Sequence, residues 1–281
     1  MTTPASPTEP QDSTAALASL SEAYRQRFSG VARLYGQAGL VALSKAHFVV
    51  IGIGGVGTWV AESLARSGVG TLTLIDMDDV CITNSNRQLH ALQSTIGQSK
   101  TAVMAARLRD INPEIMVHEV DDFLSQDNLS TLIRAEHHVV IDAIDAAYVK
   151  AALIAHCKRN KKQIISVGSA GGKRDPRDII SGDLSRSVND PLLAKTRNAL
   201  RRLHNFSRNT KRVFSIEVVY SKEQMLYPRA DGGVCQSRAE MDTSEGTKLD
   251  CSGGFGAATM VTASFGLVAA ARAIERYLER L

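Results

Sequence analysis

Three glycines, Gly52, Gly54 and Gly57, stand in the run HFVVIGIGGVG with the spacing G-x-G-x-x-G. Between a strand and a helix this spacing permits a tight turn and leaves backbone N–H groups and the helix dipole facing an anion, which suits a phosphate. Gly55 lies inside the same turn. With no ligand, the same glycines would serve only tight turning and close helix packing. Asp76 follows 19 residues after Gly57. At the end of a second strand, a carboxylate there accepts hydrogen bonds from ribose hydroxyls. Up to this point a nicotinamide-dependent oxidoreductase is served equally well.

The segment DMDDVCITNSNRQ then brings Asn84 and Arg87 close behind the carboxylate, and Lys100 follows thirteen residues after Arg87. Hydride transfer does not call for these cations, whereas a triphosphate does. Arg87 can pair with phosphate oxygens through its planar fork, and Lys100 can place a point charge near the α-phosphate. Taken singly, each also reads as an ordinary surface cation. In VVIDAIDA, Asp142 and Asp145 end a further strand, at the edge where open α/β sheets bind ligands. A carboxylate there can hold magnesium against phosphates. One of the two is expected to cap the helix that begins near Ala146.

The elements that must position these residues alternate. A leading helix over 31–44 precedes the strand before Gly52. A helix over 59–66 ends at Gly68, and TLTLID, 71–76, alternates into a second strand. Helix over 100–111, strand 115–120, helix 128–134, strand 138–142, helix 146–160 and strand 163–167 follow. This order predicts an α/β fold, Rossmann-like and doubly wound, with a mainly parallel sheet covered on both faces. Past Gly171 the rhythm changes to a strand near 179–182, a basic helix over 191–204, a strand at 213–219 and a closing helix over 256–278, a C-terminal mixed extension. The expected division is a disordered, Pro/Ser/Thr-rich tail over 1–22, a nucleotide-binding domain over 23–170 and a region over 171–281 continuous with the same sheet.

With 281 residues, 44% apolar and 22% charged, the chain can bury a good core without staples. The four cysteines, Cys81, Cys157, Cys235 and Cys251, form no C-x-x-C. They read as reduced thiols of a cytoplasmic protein, and no zinc is expected. The uncharged stretch 251–271 carries glycines and hydroxyls that make it a poor membrane span, so it is expected to be a buried or dimer-forming helix. Charge is unevenly placed. Residues 150–229 hold 18 Lys/Arg against 6 Asp/Glu, although the net charge is only +4. That block includes Lys173, Arg174, Arg197, Arg201, Arg202, Lys211 and Arg212, and attracts a polyanion such as a nucleic acid. The plainer account of the run Lys158, Arg159, Lys161 and Lys162 is a solvated helix end.

Together, GIGGVG, DMDDVCITNSNRQ, the lysine of GQSK and VIDAID resemble the ubiquitin-activating-like superfamily of ATP-dependent adenylating enzymes. RLYGQAGL, INPE, DDF, SAGGKRDP and GFGAATMVTASFG are similar to its branch that dehydrates threonylcarbamoyladenosine in tRNA, over about residues 25–280. The resemblance implies that Asp76 binds the ATP ribose, Asn84 and Arg87 contact phosphates, Lys100 stabilises the α-phosphate in transfer and Asp145 holds Mg2+. It implies a tRNA carrying threonylcarbamoyladenosine as substrate, a homodimer and, for some relatives, a cysteine desulfurase or other sulfur-relay partner. The alternative it leaves open is adenylation of the C-terminus of a small ubiquitin-like sulfur carrier, with Cys235 in DGGVCQS as the thiol. The superfamily's R-x-S-R segment reads Arg27, Phe28, Ser29, Gly30 here. The arginine that reaches a neighbouring subunit therefore becomes Arg33 or is missing.

Overall fold

A computed structural model describes residues 17–229, 231–237 and 255–281. His47–Ile51 (β1) is apolar after its first residue and runs into Gly52. Before it come α1 (Glu22–Arg27) and α2 (Ser29–Lys45). The single helix expected over 31–44 is thus kinked: Gly36, with φ of +79°, breaks α2 inside the run RLYGQAGL. Of the tail expected over 1–22, residues 1–16 lie outside the described residues. Leu17 and Leu20 pack against Tyr24, Phe28 and Leu40, and the Ser21 hydroxyl accepts the Tyr24 N–H at 2.9 Å to cap α1.

After β1 come α3 (Gly57–Arg66), β2 (Thr71–Ile75), α4 (Lys100–Ile111), β3 (Met116–Val120), α5 (Leu129–Leu132), β4 (Val139–Asp142), α6 (Ala147–Arg159) and β5 (Gln163–Val167). Then follow β6 (Ile179–Asp183), α7 (Pro191–Leu203), β7 (Glu217–Ser221), the short pair β8 (Tyr227–Pro228) and β9 (Val234–Cys235), and α8 (Thr259–Leu278). The seven-stranded sheet has the order β3-β2-β1-β4-β5-β7-β6. All of its pairings are parallel except β6 with β7. This is the α/β, Rossmann-like, mainly parallel fold that the alternating elements predict. The strand order reverses between β1 and β4, and both carboxyl ends there open onto one crevice.

Side chains alternate across the sheet. Phe48, Val50, Leu72 and Leu74 meet α3, α4 and α8 through Val60, Leu64, Met104, Leu108 and Phe265. Val49, Ile51, Val140 and Val218 meet α6 and α7 through Leu153, Ile154, Leu193 and Leu200. Of the uncharged stretch expected over 251–271, the part from Thr259 on is helix, with Val261, Phe265, Ala269 and Ala270 buried and Met260 and Leu267 exposed. Cys251 and Gly254 lie outside the described residues. No helix among the described residues is long and apolar enough to cross a membrane.

One expected strand moves. The apolar run 213–219 predicts a strand from Val213, yet β7 begins at Glu217. Asp183 captures the N–H groups of Phe214 at 2.9 Å and Ile216 at 3.2 Å, and Ser215 between them takes φ of +54°. The side chain of Asp183 therefore replaces a strand neighbour for these residues.

Candidate active site

The glycine turn is fixed by where its backbone groups go. Gly52 takes φ of +86°, and its N–H donates to Ile75 O at 2.9 Å. A methyl group on Gly57 would stand 1.8 Å from Gly52 O, so no side chain fits there. Ile53 N–H donates to Asp76 Oδ2 at 2.6 Å. The Thr58 N–H and hydroxyl both reach Gly54 O, at 3.2 and 2.8 Å. Among the described residues no acceptor meets the N–H of Gly54, Gly55, Val56 or Gly57. Four orphan donors at the start of α3 form an anion site.

Asp76 closes the turn on its other side, with Oδ1 accepting Asp78 N–H at 2.9 Å. Burial pushes its carboxyl pKa upward, opposed by the Lys100 charge and the two N–H donors. The loop that follows is drawn shut by the pairs Val80 N to Gln98 O and Gly97 N to Val80 O, each 2.8 Å. Its closure delivers Lys100 to the site at the first turn of α4. The ammonium lies 2.7 Å from Asp78 Oδ2, on a side chain only 7% exposed. Asn84 is buried, its amide oxygen accepting Cys81 N–H at 3.0 Å. Arg87 lays its stem over Gly55, where an added methyl would meet Cγ at 3.2 Å. Its guanidinium donates to Thr83 O and Asn86 Oδ1, both at 2.9 Å. The sequence-predicted Asp76, Arg87 and Lys100 therefore converge on the turn, while Asn84 is held inside the loop that carries Arg87.

Several residues of this neighbourhood are not among the candidate site residues of the sequence. Thr259 Oγ1 donates to Asn86 O at 2.6 Å, Asn86 Nδ2 donates to Ala257 O at 2.8 Å, and Thr262 Oγ1 donates to Arg87 O at 3.3 Å. The last helix thus fastens the arginine loop from about 170 positions away, a pairing that local spacing cannot announce. Gln88 and His90 are buried just behind the glycines. Each keeps one buried polar atom, Gln88 Oε1 and His90 Nδ1, without a partner among the described residues.

At the end of β4 the two carboxylates part ways. Asp142 is fully buried, 2.8 Å from the ammonium of Lys150. It also accepts the Ser166 hydroxyl at 2.6 Å and Ile144 N–H at 3.1 Å. Asp145 is exposed on the turn that follows. Neither caps α6, contrary to expectation, because the cap residue Ala146 has no side-chain bond and Asp142 is held by Lys150. Asp145 is thus the exposed carboxylate of this pair.

The basic residues also divide. Lys173 is 2% exposed and donates to the carbonyls of Asn189, at 2.9 Å, and Glu223. Burial pulls its pKa down. Arg197 is half-buried on Ser187 O at 3.0 Å and on the Ser187 hydroxyl. These two hold the chain together and are corrected from polyanion ligands to internal ties. Arg201 lies over the Phe214 ring at 5.4 Å. Arg174, Arg202, Lys211 and Arg212 are exposed. Arg27 donates to Ile111 O at 3.0 Å, and Arg33 is exposed. Cys235, in β9, is half-buried with its thiol donating to Ser237 O at 3.2 Å.

The chain matches the ThiF family over residues 26–278. It is 50% identical over 262 residues to the tRNA threonylcarbamoyladenosine dehydratase of Escherichia coli (strain K12), across 93% of this chain and 97% of that protein. To the dehydratase of the same name from Haemophilus influenzae it is 51% identical over 257 residues, across 92% and 95%. The E. coli dehydratase TcdA in complex with ATP superposes with a TM-score of 0.82 at 46% identity, covering 92% of this chain and 97% of that one. A match that runs through the glycine turn, the arginine loop and α8 leaves one assignment: the chain is a member of the ThiF family.

Proposed function

We propose that this chain is an ATP-dependent dehydratase that cyclises threonylcarbamoyladenosine in tRNA through an adenylated carboxylate. The observation that carries the reading is the convergence of Asp76, Arg87 and Lys100 on four unpartnered N–H groups at the start of α3. Asp76 accepts from the ribose, Asn84 and Arg87 steady the phosphates, and Lys100 leaves Asp78 for the α-phosphate. A carboxylate oxygen of the substrate attacks the α-phosphorus, and the bond to pyrophosphate breaks. A nitrogen of the same threonylcarbamoyl group then attacks the activated carbonyl carbon, releasing AMP and a proton. Net loss of one water results. The ring closes without an enzyme nucleophile because the attacking nitrogen is already tethered at high effective molarity.

Asp145, the outward carboxylate of the β4 turn, would hold Mg2+ together with phosphate oxygens, as magnesium commonly takes one or two carboxylates in nucleotide sites. Bound there, the ion supplies charge neutralisation for the phosphates. Residues 23–170 serve as the nucleotide-binding part. The region 171–281 contributes the exposed cations Arg174, Arg202, Lys211 and Arg212 for tRNA. The working form is a cytoplasmic homodimer, whose contact would cover the exposed apolar side chains Leu34, Met260 and Leu267.

The test is to incubate the chain with ATP, magnesium and tRNA bearing linear threonylcarbamoyladenosine, then weigh the nucleosides under conditions mild enough to preserve a labile ring. Loss of one water, absent with Lys100→Ala, is the expected result. An unchanged nucleoside, with ATP–pyrophosphate exchange that appears only when a small ubiquitin-like carrier is added, would instead move the substrate to a sulfur-carrier protein.

A further inference from the structure

His90 is 1% exposed and lies directly behind the glycine turn. Its Nε2 sits 3.1 Å from Ile53 O. A carbonyl can only accept, so this nitrogen carries the hydrogen and Nδ1 is bare. Nδ1 meets no donor among the described residues. A buried imidazole with a single polar contact loses more hydration than it regains, and an apolar side chain would fill the same space at lower cost. What the apolar replacement lacks is the one bond to Ile53 O.

That bond acts on a particular peptide. The Ile53 carbonyl shares its planar, trans unit with the N–H of Gly54, so the two point in opposite directions. Holding the carbonyl inward on His90 turns the Gly54 N–H outward, to the side where the four orphan donors lie. The neighbouring units are already engaged: Gly52 N–H by Ile75 O, Ile53 N–H by Asp76, and Gly54 O by Thr58. The Ile53–Gly54 unit is flanked by glycines on both sides, and His90 is what fixes its rotation. A carbonyl that accepts a hydrogen bond also makes the N–H of its own peptide a stronger donor.

We propose that His90 is a positioning residue for the phosphates of ATP, acting through the Ile53–Gly54 peptide and contributing nothing to recognition of the nucleoside. The inference rests on the glycine turn being the phosphate site. Burial, with a smaller contribution from the charge of Lys100, lowers the imidazole pKa to about 4, so the ring acts as a neutral donor throughout the working range.

The test compares affinities for ATP, AMP and adenosine in His90→Leu and His90→Gln, by calorimetry. The lost donor and the freed peptide are expected to weaken ATP and AMP about tenfold, the size of one hydrogen bond to a charged group, while adenosine changes less than twofold. Gln, whose amide hydrogens can reach the same carbonyl, is expected to recover most of the loss. Equal weakening of all three ligands, or a Gln variant no better than Leu, would overturn the assignment. In the wild-type chain, nitrogen NMR should show the Nε2–H tautomer with a ring signal that moves on adding ATP and stays still on adding adenosine. A ring signal indifferent to ATP overturns it without any variant. Wild-type protein that binds ATP no better than adenosine would remove the turn itself as the phosphate site. A preserved ATP preference in His90→Leu would remove only the role of His90.

Discussion

Lys100 waits on Asp78, 2.7 Å away, and Asp78 is 55% exposed. A pair with one side in water holds weakly, so an arriving phosphate can draw the ammonium off without breaking a buried contact. Lys100→Ala is expected to lower kcat for ATP–pyrophosphate exchange about 10²- to 10³-fold, the usual cost of removing a group aimed at developing charge. ATP affinity should fall far less. An affinity loss equal to the rate loss would make Lys100 a binding group only. At this scale the glycines, Asp76, Arg87 and Lys100 are legible in the sequence, because a strand end and the turn after it confine them to one crevice. Lys173 and Arg197 are not. A count of charges cannot reveal that the carbonyls of Asn189 and Glu223, or the oxygens of Ser187, already surround a cation. His90 also escapes notice, since its meaning lies in the peptide behind which it folds.

The turn that presents Asp145 hangs from the buried group of Asp142, Lys150 and Ser166, which joins β4, α6 and β5. Lys150→Met strands a buried carboxylate and is expected to cost about 3–5 kcal/mol, read as a lowered urea midpoint. Asp142→Leu combined with Lys150→Met should recover part of that loss; a double variant no more stable than the single would refute the pairing as its cause. On the other side of the sheet, Gly266 lets α8 touch α3. A methyl there would stand 2.6 Å from Trp59 Cβ and 2.8 Å from Val56 O, so Gly266→Ala is expected to cost about 1–3 kcal/mol as the helices separate. Because Thr259 and Thr262 tie the Asn86–Arg87 segment to α8, ATP affinity should drop with it. Unchanged affinity in a destabilised variant would show that the tie does not set the arginine loop. Most elements are readable from periodicity: α4 and β5 run as expected, since nothing tertiary competes with their patterns. The strand at 213–219 is misplaced because Asp183, thirty residues earlier, supplies the acceptors that a neighbouring strand would.

Two properties belong to the molecule as a whole. At the amino edge of the sheet, His47 and His137 stack edge to face with centroids 4.6 Å apart. Both pKa values fall to about 4, through burial first and then through neighbouring histidine charge. Between about 4 and the ordinary 6.5 the folded chain binds fewer protons than the unfolded one. Their contribution is therefore intact above about 6.5 and is lost as the pH falls toward 4. Asp76 and Asp190, whose carboxyls are raised by burial, act with the opposite sign, so the histidine effect is read by difference. The Tm loss between pH 7.5 and 5 should shrink in His47→Gln, and an equal loss would exclude His47 as a source. The second property is the separation of the basic surface from the phosphate turn. Helices α6 and α7 run back from the carboxyl edge of the sheet, so Arg159, Lys161, Arg202 and the loop carrying Arg208, Lys211 and Arg212 gather at the amino edge. A 13-residue helix spans about 20 Å. A polyanion that touched that edge while one of its nucleotides sat at the glycine turn would have to span at least that length, as a tRNA can. Reversing Arg202, Lys211 and Arg212 to glutamate is expected to weaken tRNA binding at least tenfold and to flatten its dependence on salt, since every cation withdrawn from a phosphate lowers the slope by about one unit. ATP affinity measured in the absence of tRNA should be untouched. An unchanged salt slope would mean that the tRNA lies elsewhere and that these cations only keep the chain soluble.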